Sequence, residues 1–130
     1  MRRLALLAVL ALLPLTVAFA QREDQEGKEW LNSCSEPAAI NVTGIWASPD
    51  WGRMSLSQHK DSRKVIGSGD GWDISGVVSG NSVCLLYSHN GKVAYSARLT
   101  ADEGTSQLSG AYTRGLLSSG SRTKTVRFVK

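Results

Sequence analysis

Residues 82–100 read SVCLLYSHNGKVAYSARLT, and this stretch contains the clearest structural signal in the chain. Two segments of alternating polarity flank Asn90-Gly91, a pair that favours the type I′ turn of a tight β-hairpin. The stretch therefore predicts two antiparallel strands, over residues 82–88 and 92–100.

The same texture extends in both directions from this hairpin. Short segments with period-two alternation are separated by clusters of Gly, Asn, Asp and Ser, which favour turns. The predicted strands span residues 42–47, 51–58, 64–69, 72–78, 82–88, 92–100, 107–114 and 122–129. Eight strands joined by short loops predict an all-β fold, an antiparallel up-and-down meander that closes into a small barrel.

The alternation assigns one face of each predicted strand to the barrel interior. The predicted inward side chains are Met54, Leu56, Trp72, Ile74, Val78, Val93, Tyr95, Ala97, Leu99, Leu108, Tyr112, Val126 and Phe128. Glycine follows an apolar residue by two positions at Gly44, Gly67, Gly76 and Gly110. Glycines inside strands mark bends or close backbone approaches, as the curvature of a barrel requires.

The first twenty residues resemble an export signal. Arg2 and Arg3 precede an apolar run over residues 4–13, and Ala18-Phe19-Ala20 forms a small-x-small cleavage site. Residues 1–20 are therefore predicted to be a signal peptide, which places the protein outside the cell or in a periplasm. No later segment approaches the roughly 20 apolar residues of a membrane helix, so we expect no membrane span.

Residues 21–40 are predicted to form an N-terminal arm with a short helix, followed by a barrel domain over residues 41–130. Trp30, Leu31 and Cys34 share one face of a helical turn in an otherwise polar arm. In an exported protein, two cysteines indicate a disulfide, and Cys34–Cys84 is the only pairing within the chain. The alternative is two free buried thiols.

Gly44-Ile45-Trp46 opens the first predicted strand, and Arg127 lies on the last one. A Gly-x-Trp and an Arg in these places resemble the structural motif of the calycin barrels, the lipocalins and avidins. The positions of Cys34 and Cys84 are also similar to those of the avidin disulfide. The resemblance implies a barrel in which the Arg127 guanidinium packs on the Trp46 indole. The alternatives are Arg122 in that role, or Arg127 as a charged residue on the outer face. It does not imply biotin as the ligand, because Arg53 stands where a small hydroxyl side chain would be needed.

The sequence offers no set of residues that would form a catalytic site. His59 and His89 fall in predicted turns, and no local motif marks a nucleophile beside either. The two histidines and two cysteines do not have metal-site spacing. We therefore expect no enzymatic activity, no metal, no cofactor and no nucleic-acid partner.

Four tryptophans and the basic end of the chain are the richest chemical features. Trp46 and Trp72 are either core residues or walls of a ligand site, and Trp51 shares its strand face with Arg53, which predicts an exposed aromatic contact. Residues 114–130 contain five basic and no acidic residues, either as an anion-binding strand or as a charged edge.

These features predict a non-enzymatic module that holds a small apolar or aromatic ligand at one mouth of the barrel. The candidate ligand-binding residues are Trp51, Trp72, Tyr95 and Tyr112. The alternative is a protein-binding or enzyme-inhibitor barrel that uses the surface around Trp51 or the basic last strand. Small exported inhibitor barrels are similar in size and often have one disulfide. The sequence does not specify the oligomeric state.

Overall fold

A computed structural model describes residues 25–59 and 62–130, and its eight antiparallel strands form a closed barrel. A helix, α1, spans residues 25–33 and precedes them. The strands are β1 (Gly44–Ser48), β2 (Gly52–Gln58), β3 (Lys64–Gly69), β4 (Trp72–Ser79), β5 (Ser82–His89), β6 (Lys92–Ala101), β7 (Gln107–Arg114) and β8 (Lys124–Val129). Each strand pairs with its neighbour in sequence, and β8 pairs with β1. The predicted meander and its helical arm are confirmed, whereas the predicted signal peptide lies outside the described residues.

The barrel interior is filled by the side chains that alternate inward along the strands. Trp46 and Phe128 are the largest side chains that are almost completely buried there. The core contains Val42, Trp46, Met54, Leu56, Val65, Ile74, Val78, Val83, Leu85, Tyr87, Ala97, Leu99, Leu108, Val126 and Phe128. An eight-stranded barrel has an interior just wide enough for such side chains, so the strands enclose a packed core.

A bulge in β6 overturns the predicted inward position of Val93. Tyr87 pairs with Tyr95 but Ser88 pairs with Val93, so Ala94 is an extra residue between the two pairs. The extra residue reverses the alternation, and Val93 turns to the outer face, where it lies close to Gly27 of α1.

Three strand glycines sit where neighbouring strands approach too closely for any side chain. A Cβ at Gly67, Gly76 or Gly110 would collide with a backbone carbonyl oxygen of the adjacent strand. These positions were predicted to be sites of bending or close approach, and the close approach is confirmed.

Helix α1 packs against the outer face of β5 and β6. A disulfide joins Cys34, just after the helix, to Cys84 on β5, with the two Cα atoms 6.8 Å apart. The Trp30 indole donates a hydrogen bond of 2.8 Å to the carbonyl of Leu117, in the β7–β8 connection. Leu86 is buried on this outer face, close to Gly27. The arm therefore forms a small second core outside the barrel.

The chain after α1 closes one end of the barrel, which we call the closed end. Ala38 forms a parallel bridge with Gly80 in the β4–β5 turn. The Gln58 side chain then accepts a hydrogen bond from the Val42 amide and donates to the Ile40 carbonyl. The Trp46 indole donates to the Val42 carbonyl at 2.9 Å, so a buried polar group is satisfied.

The cation over Trp46 is Lys130, which corrects the predicted contact with Arg127. The Lys130 Nζ atom lies 5.5 Å from the centre of the Trp46 ring, within the range of a cation–π interaction. Arg127 is exposed between buried Val126 and Phe128, and pairs with Ser109 of β7 on the outer face. The alternation along β8 forces this outcome, because a side chain between two inward residues points outward.

Gly44 makes room for the lysine stem at this end. Its φ is +148°, and a Cβ built there would lie 2.7 Å from the Lys130 Cε atom.

Among the described residues, no helix combines the length and the apolarity that crossing a bilayer requires.

The disulfide should contribute measurably to stability. For a loop of 50 residues between the cysteines, chain entropy gives about 4 kcal/mol. We expect the Cys34→Ala/Cys84→Ala variant to lose about 2–4 kcal/mol of unfolding free energy in urea titrations. Reduced wild-type protein is the control and should match the variant. Labelling of two thiols in unreduced, unfolded protein would contradict the prediction.

Gly44 and Lys130 should be energetically coupled, because an added methyl group would overlap the lysine stem. We expect Gly44→Ala to cost about 1–3 kcal/mol of unfolding free energy in the wild-type background, mostly because L side chains rarely adopt a φ of +148° and in smaller part because the flexible lysine stem must move. The cost should fall by at least about 0.5 kcal/mol in the Lys130→Ala background, as a double-mutant cycle measures. Strictly additive effects would show that the two residues do not meet.

Candidate functional site

The barrel end opposite the closed end, which we call the mouth, gathers five aromatic rings. In an up-and-down meander alternate connections lie at the same end, so the β1–β2, β3–β4, β5–β6 and β7–β8 connections surround the mouth. The mouth cluster consists of Trp51, Trp72, Tyr87, Tyr95 and Tyr112. All four predicted ligand-binding residues belong to it.

Trp51 is the centre of the mouth cluster. Its ring centroid lies 4.8 Å from that of Tyr87, 5.0 Å from Tyr112 and 5.2 Å from Tyr95. Trp72 completes the cluster at 6.4 Å from Trp51 and 5.6 Å from Tyr95. The contacts with Tyr95 and Tyr112 are edge-to-face, an arrangement that the ring quadrupoles favour.

The cluster has a buried floor and a partly open top. Tyr87 is 3% exposed and belongs to the barrel core. Trp51, Trp72, Tyr95 and Tyr112 are partly buried and pack against that core. The four upper rings therefore retain surface that a bound molecule can contact.

Trp51 points into the mouth, which corrects its predicted position on the outer face with Arg53. The strand β2 begins at Gly52, whose φ is +70°, so Trp51 belongs to the β1–β2 turn and not to the strand. The left-handed residue between Trp51 and Arg53 breaks the alternation that the prediction assumed. Trp51 is nonetheless more exposed than Trp46, which is 0% exposed, as predicted.

The Tyr87 hydroxyl is held in an apolar setting. It donates a hydrogen bond of 3.4 Å to the thioether sulfur of Met54, a weak acceptor. Burial disfavours the charged phenolate and raises the pKa of Tyr87 well above its usual value. The floor of the mouth is therefore neutral and apolar.

A cleft of about 360 Å³ opens beside the mouth cluster and has a basic lining. Tyr95 and Tyr112 form its aromatic wall, and its cations are Arg114, Arg122 and Lys124. From the sequence, these cations are predicted only as part of the basic chain end. Their strand phase could have revealed them, because Arg114 and Lys124 share the parity of inward-facing Tyr112 and Val126.

The rest of the mouth offers one histidine. The His89 ring lies 5.4 Å from that of Trp72, in an edge-on contact. Within residues 25–59 and 62–130, no three His, Cys, Asp or Glu side chains converge as a metal site would require.

Burial of Tyr87 should make stability depend on pH. Above about pH 10 the tyrosine ionises in the unfolded chain and stays protonated in the folded one. The folded state then binds more protons, so the free energy of unfolding falls with rising pH, by up to about 1.4 kcal/mol per pH unit.

Tyr87→Phe should remove this contribution. In urea titrations the variant is expected to gain on the wild type between about pH 9 and about pH 11, whereas their stability difference should be constant near neutral pH. Parallel curves over the alkaline range would contradict a buried Tyr87.

No protein-family model matches the chain, and neither a curated protein nor a solved structure shows significant similarity to it. The likeness to calycin barrels therefore stays a prediction based on the residues that suggested it.

Proposed function

We propose that this protein is a non-enzymatic binding module that holds a small apolar or aromatic ligand at the mouth of the barrel. The observation that carries the proposal is the mouth cluster, in which four rings are only partly buried at the end of a filled barrel. Large apolar rings at one site, with their faces partly open to solvent, are the usual lining of a small-molecule site.

The filled interior confines the ligand to the mouth. Trp46, Leu85, Leu99 and Phe128 occupy the interior and are at most 1% exposed. The ligand therefore lies on the mouth cluster, in contact with Trp72, Tyr95 and Tyr112, with Trp51 beneath or beside it. Aromatic walls of this kind contribute about 0.5–1.5 kcal/mol per ring contact beyond area burial.

The protein is further proposed to be exported and calycin-like. The disulfide between Cys34 and Cys84 supports export, because such bonds persist in oxidising compartments. The closed eight-stranded meander that opens with Gly44-Ile45-Trp46 supports the calycin-like assignment, whereas the contact of Trp46 with Lys130 instead of Arg127 counts against it.

A second candidate function is binding of a partner protein through the outer face of β8, β1, β2 and β3. Ile45 is 62% exposed, Ile66 63% and Val129 45%. These side chains lie on three strands of one continuous stretch of sheet. Val129 and Ile45 lie on adjacent strands and Ile66 lies two strands further on, and a partner protein that Ile45→Lys releases would support this candidate.

Ligand binding can be tested with the neutral probe phenylnaphthylamine, whose fluorescence rises in apolar sites. We expect saturable binding to the purified protein and a loss of about three- to tenfold in affinity for Trp72→Ala, since one ring wall is removed. Quenching of tryptophan fluorescence should follow the same titration.

Ile66→Ser is the matched control, because it removes an exposed apolar side chain from the outer face. Its affinity for the probe should equal that of the wild type. Absence of saturable binding, or equal loss in Trp72→Ala and Ile66→Ser, would contradict a ligand site at the mouth.

A further inference from the structure

We propose that the mouth selects ligands in which an aromatic or apolar body carries an oxyanion, and that Arg114, Arg122 and Lys124 hold this group. The inference rests on the proposed function and specifies its ligand class: a carboxylate, sulfate or phosphate attached to a ring or a short apolar chain.

The mouth cluster and the basic cleft share a wall. Tyr95 and Tyr112 contact Trp51 in the cluster and also line the cleft that contains the three cations. A molecule stacked on these two tyrosines therefore has the cations within its reach. The cleft volume of about 360 Å³ lies in the range of small-ligand sites.

Strand pairing brings two of the cations next to the two tyrosine rings. Arg114 is the cross-strand partner of Tyr95, and Lys124 is the partner of Tyr112. Directly opposed residues have Cβ atoms about 4.5–5.5 Å apart, so each tyrosine has a cation beside it. The arrangement is part of the sheet register and does not depend on a mobile tail.

Arg122 joins them through the β7–β8 connection. The Thr113 hydroxyl donates a hydrogen bond of 2.8 Å to the Arg122 carbonyl, which ties the connection to the end of β7. Ser118 and Ser121 bond to each other and close the turn before Arg122. The guanidinium therefore extends from an anchored backbone.

The positive charge of the cleft has no counter-charge among the described residues. The lining of the cleft contains no carboxylate, and among residues 25–59 and 62–130 none forms an ion pair with these three cations. The three cations are exposed and line one cleft, so together they give it a positive potential that attracts an oxyanion. Arginine is suited to this role because its planar fork donates paired hydrogen bonds to an oxyanion.

A pair of probes that share one skeleton tests the inference. Phenylnaphthylamine is neutral, and anilinonaphthalene sulfonate is the same molecule with a sulfonate. We expect the sulfonate to bind about tenfold more tightly at low salt, with the advantage shrinking as ionic strength rises. The Arg114→Gln/Lys124→Gln variant should lose most of that advantage and keep its affinity for the neutral probe.

Arg127→Gln is the matched control, because it removes a cation from the outer face of the strand that carries Lys124. It should leave both affinities unchanged. Melting curves with intact disulfide establish that each variant is folded.

The outcomes separate the two proposals. Equal affinity of the two probes, with Trp72→Ala weakening both, would overturn the oxyanion inference and leave the proposed function standing. Failure of both probes would overturn the proposed function and the inference with it. Binding of the sulfonate alone, unaffected by Trp72→Ala, would indicate a general cationic surface and would also overturn the inference.

Discussion

The packing of Trp51 on Tyr87 is the contact on which the mouth of the barrel depends. Tyr87 belongs to the core and Trp51 to a turn, so their centroid distance of 4.8 Å joins the top of the core to the first connection. Once Trp51 is held there, Tyr95 and Tyr112 have a common ring to pack against. Without it, the four remaining rings would border a gap above the core, and the basic cleft would lose the support of its aromatic wall.

Most of the fold could be predicted from the sequence because its strands follow a simple rule. A strand such as β7 directs one face toward the core, so the spacing of Leu108 and Tyr112 predicts both the strand and its inner side. The observed strands match the predicted ones to within two residues at each end. The disulfide was also predictable, because two cysteines in an exported chain allow one pairing.

The predictions for Trp51 and Val93 were wrong because a single residue interrupts the alternation, whereas the Arg127 contact came from the calycin resemblance and ran against the alternation of β8. Gly52 reverses the direction of Trp51, and the bulge at Ala94 reverses Val93. Both interruptions depend on tertiary packing: the turn must place a large ring over the core, and the bulge must place Val93 under the arm helix. Alternation in the sequence alone does not predict either interruption, and a shift of one residue moves every following side chain to the other face of the sheet.

The basic end of the chain shows why linear charge patterns mislead in a barrel. Residues 114–130 form one cationic run in sequence, but the fold divides it among three locations. Lys130 lies over Trp46 at the closed end, and Arg127 is on the outer face. Arg114, Arg122 and Lys124 remain together at the mouth. A candidate site could be named from the tryptophans and tyrosines alone, whereas its charge could be assigned only after strand register was known.

The two ends of the barrel consequently differ in whether their polar, charged and aromatic groups have partners within the fold. At the closed end, the Gln58 side chain bonds to the neighbouring backbone, the Trp46 indole donates to the Val42 carbonyl, and the Lys130 ammonium lies over the Trp46 ring. At the mouth, four rings are only partly buried, and within the described part of the chain the three cations have no ion-pair partner. Arg114, Arg122 and Lys124 are exposed, so a carboxylate beside them would stabilise the fold little, and their charge is available to a bound molecule. Partly open aromatic rings and exposed cations therefore lie side by side at one end of the barrel, and this juxtaposition is the basis of the proposed ligand with an apolar body and an oxyanion.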